Sequence, residues 1–418
     1  MPDASLPDEL AVGRIQRRTV GVLAVAQVLG GVAFGATLSL GVLLAADVSG
    51  DEAFAGLATA SVTFGTALLA IPLAALARRR GRRLSLTAGM LIALGGVLLV
   101  IAATGARIFP LLLLAFALVG GGQTANLQSR FAATDLATDA GRGRALSLVV
   151  WATTIGVVLG PNLIGPGEVL GEALGMPPLT GPYLFTVVGQ VLAIVVYLIG
   201  LRPDPLLIAQ RLQRAREAAA SAIAPRADRP AAARYAIFAV AAAHAVMVAV
   251  MAMTPVHLLH HGATLEIVGV TISLHVAGMY ALSPVFGILS DRWGRAATMM
   301  LGQALLAGAL LVAATLSESM PAVTVALVLL GLGWSATTVA GSALLTEASA
   351  ETRRTRRQGV SDFTMSIVGA AGAVLAGVVL GWIGYGGLAL IAMVLVVATV
   401  ALVPLVRVAS PEPQPAAD

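Results

Sequence analysis

The chain has 418 residues, of which 58% are hydrophobic and 11% are charged, and its mean hydropathy is +0.91. Because an ordinary soluble domain carries about 25% charged residues, this composition excludes a soluble globular protein and indicates a membrane protein. All 26 basic residues are arginine, and the absence of cysteine excludes disulfides and thiolate metal ligands.

Apolar segments close to the ~20 residues that a membrane-spanning helix needs recur along the whole chain. The first is long enough to be a true span, so we expect no cleavable signal peptide. We predict twelve spans, at 18–45, 53–77, 84–105, 108–129, 145–165, 183–202, 235–259, 265–289, 297–317, 321–345, 361–383 and 386–407.

The arginines fall almost entirely on one side of these predicted spans. If the N-terminus is cytoplasmic, 25 of the 26 arginines are cytoplasmic and only Arg107 is not. This asymmetry follows the positive-inside rule, so we expect a multi-pass protein with both termini in the cytoplasm. The arginines are scattered over many short loops, so their charge reflects topology and predicts no nucleic-acid partner.

The predicted spans divide the chain into two halves of six. Residues 18–202 form the N-terminal half and residues 235–407 the C-terminal half. A cytoplasmic tail is expected at 1–17, and the polar, proline-rich tail at 408–418 is expected to be disordered. The cytoplasmic linker 203–234 contains leucines and arginines that favour a helix on the membrane surface, although a plain linker explains its composition equally well.

Two loops carry related arginine–glycine sequences. Residues 287–295 read Gly-Ile-Leu-Ser-Asp-Arg-Trp-Gly-Arg, which matches the G-x-x-x-D-R-x-G-R loop of the major facilitator superfamily. The equivalent loop after span two keeps Gly81 and Arg82 but has Arg78 in place of the aspartate. Gly81 and Gly294 lie 213 positions apart, so we expect the two halves to be a parallel repeat.

Span five contains Gly156-x-x-x-Gly160-Pro161, which resembles the glycine–proline motif of the same superfamily. The resemblance covers the whole chain and implies an all-α membrane protein, with twelve transmembrane helices in two six-helix halves that work by alternating access. It implies that Asp291 and Arg292 hold one state by bonding to neighbouring span ends. The span-five motif would permit close packing and bending. The residues assigned to gating are Asp291, Arg292, Gly294, Arg295, Gly81, Arg82, Gly156, Gly160 and Pro161.

All five histidines and four methionines lie between residues 244 and 279. On span seven, Met247 and Met251 share a helix face, and on span eight His275 and Met279 share another. The two spans are predicted to be antiparallel neighbours, which places these four side chains at one level near the membrane midplane. Thioether and imidazole donors suit Cu(I). The predicted metal ligands are Met247, Met251, His275 and Met279, with His244 as a further candidate.

M-x-x-x-M on span seven and H-x-x-x-M on span eight, 28 residues apart from Met247 to His275, are similar to the motifs of the CcoA-like (CalT) copper importers. This resemblance implies a monomeric carrier of the bacterial inner membrane that brings copper into the cytoplasm for cytochrome oxidase assembly. Copper would be the transported substrate, with no organic cofactor, and copper chaperones or oxidase assembly factors would be partners. Residues nearer the outer surface that are predicted to capture the ion, or else simply to be polar at the interface, are Met253, His257, His260 and His261.

No predicted span centre holds a carboxylate, a lysine or an arginine. Neutral ligands cannot cancel the charge of a bound cation, so a monovalent ion such as Cu(I) is less costly to bind there than a divalent ion.

Two other functions remain open at this level. An exporter of a small organic compound could use Gln27, Gln123 and Asn126 in the N-terminal half, and a copper-binding assembly factor would bind the ion without moving it. An enzyme is not expected, because the predicted core contains no nucleophile–base pair.

Overall fold

The computed structural model describes residues 9–50, 54, 56–219 and 228–404. The predicted tail 408–418, and the first eight residues of the tail predicted at 1–17, lie outside the described residues. Residues 9–17 belong to the first helix instead of a tail, because the helix extends well beyond the apolar segment.

The described chain is built from helices, with a short 3-10 turn at Asp139–Gly141. In chain order the helices are α1 (Glu9–Ser49), α2 (Gly56–Arg80), α3 (Arg82–Ala106), α4 (Phe109–Ala132), α5 (Arg142–Asn162), α6 (Ile164–Ala173), α7 (Tyr183–Gly200), α8 (Pro205–Ala219), α9 (Pro230–His260), α10 (Leu265–Tyr280), α11 (Ser283–Trp293), α12 (Arg295–Thr315), α13 (Met320–Glu347) and α14 (Glu351–Ala401).

Helices α1 to α5 and α7 form the six passes of the N-terminal half. The short helix α6 between the last two was not predicted from the sequence. It packs closely on the turn before α7, since a Cβ added at Gly167 would lie 2.5 Å from the Cα of Pro182. Glycine at this position therefore permits a contact that a larger residue would prevent.

The C-terminal half also has six passes. One predicted span is broken into two helices, and one long helix contains two passes with a chain reversal between them. The predicted span 265–289 is split into α10 and α11 just before Pro284, which cannot donate a backbone hydrogen bond. Helix α14 contains two passes that meet at Gly384, whose φ of 73° and ψ of −178° are not helical. The chain reverses there, because Asp362 contacts Arg130 and Thr399 contacts Tyr235 at one end of the molecule, whereas Tyr385 contacts His257 at the other.

The outer surface of the bundle is suited to lipid. Within the described ranges, nine helical segments are long and apolar enough to cross a membrane. Large apolar side chains are exposed on their outward faces, for example Leu68 at 61%, Ile199 at 66% and Trp382 at 82%. The predicted all-α fold of two six-helix halves is therefore confirmed.

The two halves repeat the same turn. Gly81 before α3 has φ 90° and ψ 170°, and Gly294 before α12 has φ 94° and ψ 159°. Both lie in the positive-φ region that glycine adopts without steric cost. The arginine that follows each glycine bonds an acidic residue at the end of the neighbouring helix: Arg82 to Asp135, and Arg295 to Glu347.

Arginines and the ends of the two halves gather at one end of the molecule, which we call the arginine-rich end. The residues before α9 are anchored there, since Asp228 accepts from the Ala350 amide at 3.0 Å and from the Arg357 guanidinium. Partial burial favours the neutral acid, but these hydrogen bonds outweigh it, so the pKa of Asp228 lies below its ordinary value. Asp228 therefore remains ionised at neutral pH and links the linker to α14.

The predicted helix in the linker is present as α8. Leu206 and Ile208 are buried, and the Gln210 side-chain amide donates to the carbonyl of Arg78 at 3.3 Å. The helix thus packs against the arginine-rich end of the N-terminal half.

The cysteine-free sequence permits a direct test of orientation with the single-cysteine variants Glu318→Cys and Arg356→Cys. Both side chains are exposed, at opposite ends of the molecule. Because arginine-rich loops stay in the cytoplasm, an impermeant maleimide should label Glu318→Cys in intact cells, and Arg356→Cys only after permeabilisation. The reverse pattern would overturn the expected orientation.

Candidate functional site

A cavity of about 250 Å³ lies between the two halves. Helices α1, α2, α4 and α5 line it from the first half, and helices α9, α10, α13 and α14 line it from the second. Along α2 the lining extends from Thr66 to Ala58, close to the start of the helix, so the cavity reaches toward the end opposite the arginines.

Methionines form much of the second-half wall. Met247 and Met251 on α9 and Met279 on α10 line the cavity, as their helical spacing predicts. Met365 on α14 joins them. It is the only methionine in its predicted span, so no helical spacing pointed to it. Four of the twelve methionines of the chain therefore line the same wall of the cavity.

His244 also lines the cavity, but its ring is held by a neighbour. The indole Nε1 of Trp334 donates to His244 Nδ1 at 3.1 Å. A neutral imidazole that accepts at Nδ1 carries its proton on Nε2, so His244 presents a hydrogen-bond donor. Metal coordination through Nε2 would first require that tautomer to change.

His275 is not part of the cavity lining. Its side chain is fully buried, and Nδ1 bonds the carbonyl of Leu327 on α13 at 2.7 Å. The helices approach closely at this level, because a Cβ added at Gly331 would lie 2.5 Å from the His275 carbonyl oxygen. Since the carbonyl must accept, Nδ1 carries the proton and Nε2 keeps its lone pair, which has no partner among the described residues.

The structure also separates the outer candidates from the cavity. Met253 packs among apolar residues of α14, and His257 stacks on Tyr385 at 4.3 Å while Nε2 bonds the carbonyl of Ser317 at 2.7 Å. His260 and His261 are exposed, and His261 Nδ1 bonds the carbonyl of His257. In the part of the chain that the structure describes, no three histidine or acidic side chains are grouped as metal ligands.

The first half gives the cavity a different chemistry. Gln27, Gln123 and Asn126 all line it, and the Gln27 amide donates to Thr153 Oγ1 at 3.1 Å. The cavity therefore has amide and hydroxyl groups on one side and thioethers with an indole on the other.

A buried ion pair lies at the arginine-rich end of the cavity. Arg130 on α4 bonds Asp362 on α14 at 2.6 Å, and their side chains are only 3% and 0% exposed. Arg130 directly follows the predicted span 108–129, and Asp362 is the second residue of the predicted span 361–383. Both are buried because α4 continues to Ala132 and α14 already begins at Glu351. Nearby, Arg82 joins the halves by donating to Gln358 Oε1 at 2.7 Å.

Asp291 forms a second connection between the halves. Its carboxylate accepts from the amides of Gly143 and Arg144 at 2.8 and 2.9 Å, at the N-terminal end of α5. Negative charge at a helix N-terminus satisfies free N–H groups and the helix dipole. Arg295, which bonds both Asp291 and the carbonyl of Asp139, occupies the role expected of Arg292. Arg292 itself is exposed, with no hydrogen bond to another described residue.

The glycine of the span-five motif is closely packed. A Cβ added at Gly31 on α1 would lie 3.0 Å from the Cα of Gly156 on α5. Helix α5 continues through Gly160 and Pro161 to Asn162, and the surroundings of those last residues lie outside the description.

These contacts define a two-half carrier that is closed at one end. The Arg130–Asp362 pair, the Arg82–Gln358 bond and the Asp291 cap all join the halves on the arginine-rich side of the cavity. A central cavity between repeated halves is the binding geometry of alternating-access transporters.

Comparison with known families identifies the class. The family model of the Major Facilitator Superfamily matches residues 23–274 and 235–418. The chain belongs to this superfamily and is a membrane transporter, not an enzyme.

Relatives of known sequence are similar over most of their length. An uncharacterized MFS-type transporter, YddS of Bacillus subtilis (strain 168), is 37% identical over 88% of this chain and 86% of its own. The riboflavin transporter RfnT of Brucella anthropi is 30% identical over 88% of this chain and 90% of its own.

Solved structures share the fold at low identity. The human organic anion transporter MFSD10 (TETRAN) has a TM-score of 0.74 at 17% identity and covers 93% of this chain and 99% of its own. A bacterial homologue of the iron transporter ferroportin, in an outward-facing state, has a TM-score of 0.71 at 13% identity, covering 93% and 99%.

Asp291→Asn should weaken the cap on α5, because the amide keeps the shape but loses the charge. A cysteine placed in the cavity at Ser366 should then react faster with a maleimide added on the arginine-rich side. The matched control Arg292→Gln removes an exposed charge that has no hydrogen bond to another described residue, and it should leave the rate unchanged. Equal rates in both variants would contradict the gating role of Asp291.

Breaking the buried pair should destabilise the protein more than removing it. Asp362→Leu leaves Arg130 charged and buried, which costs about 3–5 kcal/mol. Arg130→Leu combined with Asp362→Leu leaves no unpaired charge, so the double variant should have a higher melting temperature in detergent than Asp362→Leu alone. If the double variant has the lower melting temperature, then Arg130 must stabilise the fold by contacts other than its ion pair with Asp362.

Proposed function

We propose that this transporter imports copper as Cu(I), across the bacterial inner membrane and into the cytoplasm, by alternating access. The observation that carries the proposal is the methionine wall, formed by Met247, Met251, Met279 and Met365 around the central cavity. Thioether sulfur is a soft ligand, and soft ligands select Cu(I) over harder ions.

The charge of the cavity is compatible with a monovalent ion. Arg130 is the one charged side chain among the described lining residues, and Asp362 neutralises it. The burial cost of an ion rises with the square of its charge, so a neutral wall favours Cu(I) over a divalent metal.

His275 supports the same proposal through its hydrogen bond. Metal-binding histidines usually donate one ring N–H to a carbonyl, which fixes the lone pair on the other nitrogen. His275 does this through Leu327, and its Nε2 is left without a partner among the described residues. Because the ring lies outside the lining in this conformation, coordination requires α10 to shift relative to α13 during the cycle.

The proposed import cycle begins at the end of the cavity that is open in this conformation. If the arginine-rich end is cytoplasmic, the present conformation is closed inside and its cavity faces the periplasm. Copper would enter there, and separation of Arg130 from Asp362 and of Asp291 from α5 would release it inward for oxidase assembly.

A second candidate function is transport of a small organic molecule. It is favoured by the amide groups of Gln27, Gln123 and Asn126 and by a volume of about 250 Å³, which exceeds the space one ion needs. Methionine also adapts to irregular organic ligands. Since a 30% identical relative is named a riboflavin transporter, riboflavin is the compound to test first.

The test compares thioether variants in proteoliposomes, with radioactive copper and ascorbate as reductant. Met279→Leu and Met365→Leu keep most of the side-chain volume and remove the sulfur, so folding should survive. Each should weaken Cu(I) binding by about tenfold, which corresponds to about 1.4 kcal/mol. Met253→Leu, which removes a sulfur packed outside the cavity, is the matched control and should behave as the unmodified protein.

The outcomes separate the candidate functions. Normal copper uptake by the folded Met279→Leu/Met365→Leu variant would exclude the methionine site. Riboflavin uptake without copper uptake would establish the organic candidate, and copper binding without flux would indicate an assembly factor.

A further inference from the structure

A second concave site lies outside the transport pathway, at the arginine-rich end of the N-terminal half. It is a groove of about 520 Å³ between the end of α2 and the start of α3. Its lining residues are Leu76, Arg79, Arg80, Leu84, Thr87, Ala88 and Leu91. We call it the α2–α3 groove. It opens on the outer surface of the bundle, since Leu84 and Leu91 are 36% and 52% exposed.

The rim of the groove carries two arginines that have no acidic partner in the described part of the chain. Arg79 and Arg80 are exposed, and neither forms an ion pair with another described residue. The carboxylate of Asp204, which approaches Gly81 in the same hairpin, is occupied by the amides of Arg83, Leu206 and Leu207. Among the residues that the structure describes, the positive charge of the rim is therefore uncompensated.

A polar atom without a partner lies inside the groove. Thr87 is 5% exposed, and its Oγ1 forms no hydrogen bond with any described residue. A buried hydroxyl in a helix ordinarily bonds the carbonyl of the preceding turn, and leaving it unbonded carries a free-energy cost. A ligand oxygen that reaches the groove would satisfy it.

The dimensions of the groove match the upper part of a lipid. Leu91 is nine residues beyond Arg82 along α3, so the groove extends about 13 Å from the helix start at 1.5 Å per residue. Its charged end lies where a lipid headgroup would be, and its leucine-lined end lies where the acyl chains begin.

The second half does not repeat this charge. Residues 292 and 293, which correspond to Arg79 and Arg80 in the repeat, are Arg292 and Trp293. In the position of Asp291 the first half has Arg78. The first hairpin is therefore more basic than its repeat, although its gating carboxylate is absent.

We propose that the α2–α3 groove is a binding site for an anionic phospholipid. Arg79 and Arg80 bind the headgroup phosphate, Thr87 donates to an ester or phosphate oxygen, and one acyl chain lies along Leu84 and Leu91. Basic pockets between transmembrane helices on the cytoplasmic side recognise anionic lipids through this combination of charge and apolar surface. The site is independent of what the central cavity transports.

The test titrates phosphatidylglycerol into delipidated full-length protein and follows bound lipid by native mass spectrometry, with phosphatidylcholine in parallel. The unmodified protein should retain phosphatidylglycerol preferentially. Each arginine near a membrane surface contributes about fivefold in affinity, so Arg79→Gln/Arg80→Gln should weaken phosphatidylglycerol binding by about 30-fold. The control Arg14→Gln/Arg17→Gln removes two exposed arginines from the same end and should retain the lipid.

A second variant tests the groove without changing its charge. Ala88→Trp fills the apolar end and should also reduce phosphatidylglycerol binding, with folding checked by melting temperature. Undiminished lipid binding by the folded Arg79→Gln/Arg80→Gln variant would overturn the proposal, as would equal retention of phosphatidylcholine. Displacement of the lipid by millimolar inorganic phosphate would also overturn it, because the site would then recognise the free anion.

Discussion

The conformation of this transporter depends on charge that is buried and paired across the junction of its halves. Arg130 and Asp362 belong to different halves, and neither is accessible to solvent. Such a pair is not a strong source of stability, because desolvation offsets most of the attraction. The pair instead favours one conformation over others. Separating the partners leaves two charges unpaired at once, so the halves stay together until water can solvate both. Asp291 adds a related constraint, since its carboxylate satisfies amides of a helix in the other half.

The cavity above this junction combines two chemistries from a duplicated fold. The N-terminal half supplies amides and hydroxyls, whereas the C-terminal half supplies four thioethers and an indole. The repeat is clear in the backbone, where Gly81 and Gly294 share a positive φ, and in the arginine–acid pairs that follow them. The two halves therefore share a backbone fold but present different side chains to the central cavity.

Much of the fold was accessible from the sequence, because span length and arginine placement are strong physical signals. The features that sequence missed depend on local backbone geometry. The additional helix α6 and the break between α10 and α11 leave no clear mark in hydropathy. The reversal at Gly384, in contrast, falls in the gap predicted between the spans 361–383 and 386–407. In the site, helical spacing indicated that Met247 and Met251 share a face, and the structure places both, with Met279, on the cavity wall. The spacing could not reveal that the glycine contact between α10 and α13 directs His275 to Leu327, nor that a lone methionine, Met365, completes the wall.

The distribution of the thioethers has a thermodynamic consequence. Met247, Met251, Met279 and Met365 all belong to the C-terminal half. A ligand held by these four thioethers alone keeps the same contacts whichever way the other half is tilted. Equal affinity in two states shifts no equilibrium between them, however tight the binding. A ligand bound in this way would not drive the conformational change. Any preference of the protein for one orientation of its halves would have to come from contacts that change as the halves move. In this molecule those contacts include the ones at the arginine-rich end, which would set the preferred tilt. The direction of net movement would then be set by the concentrations of the ligand on the two sides of the membrane, not by how tightly the thioethers bind it.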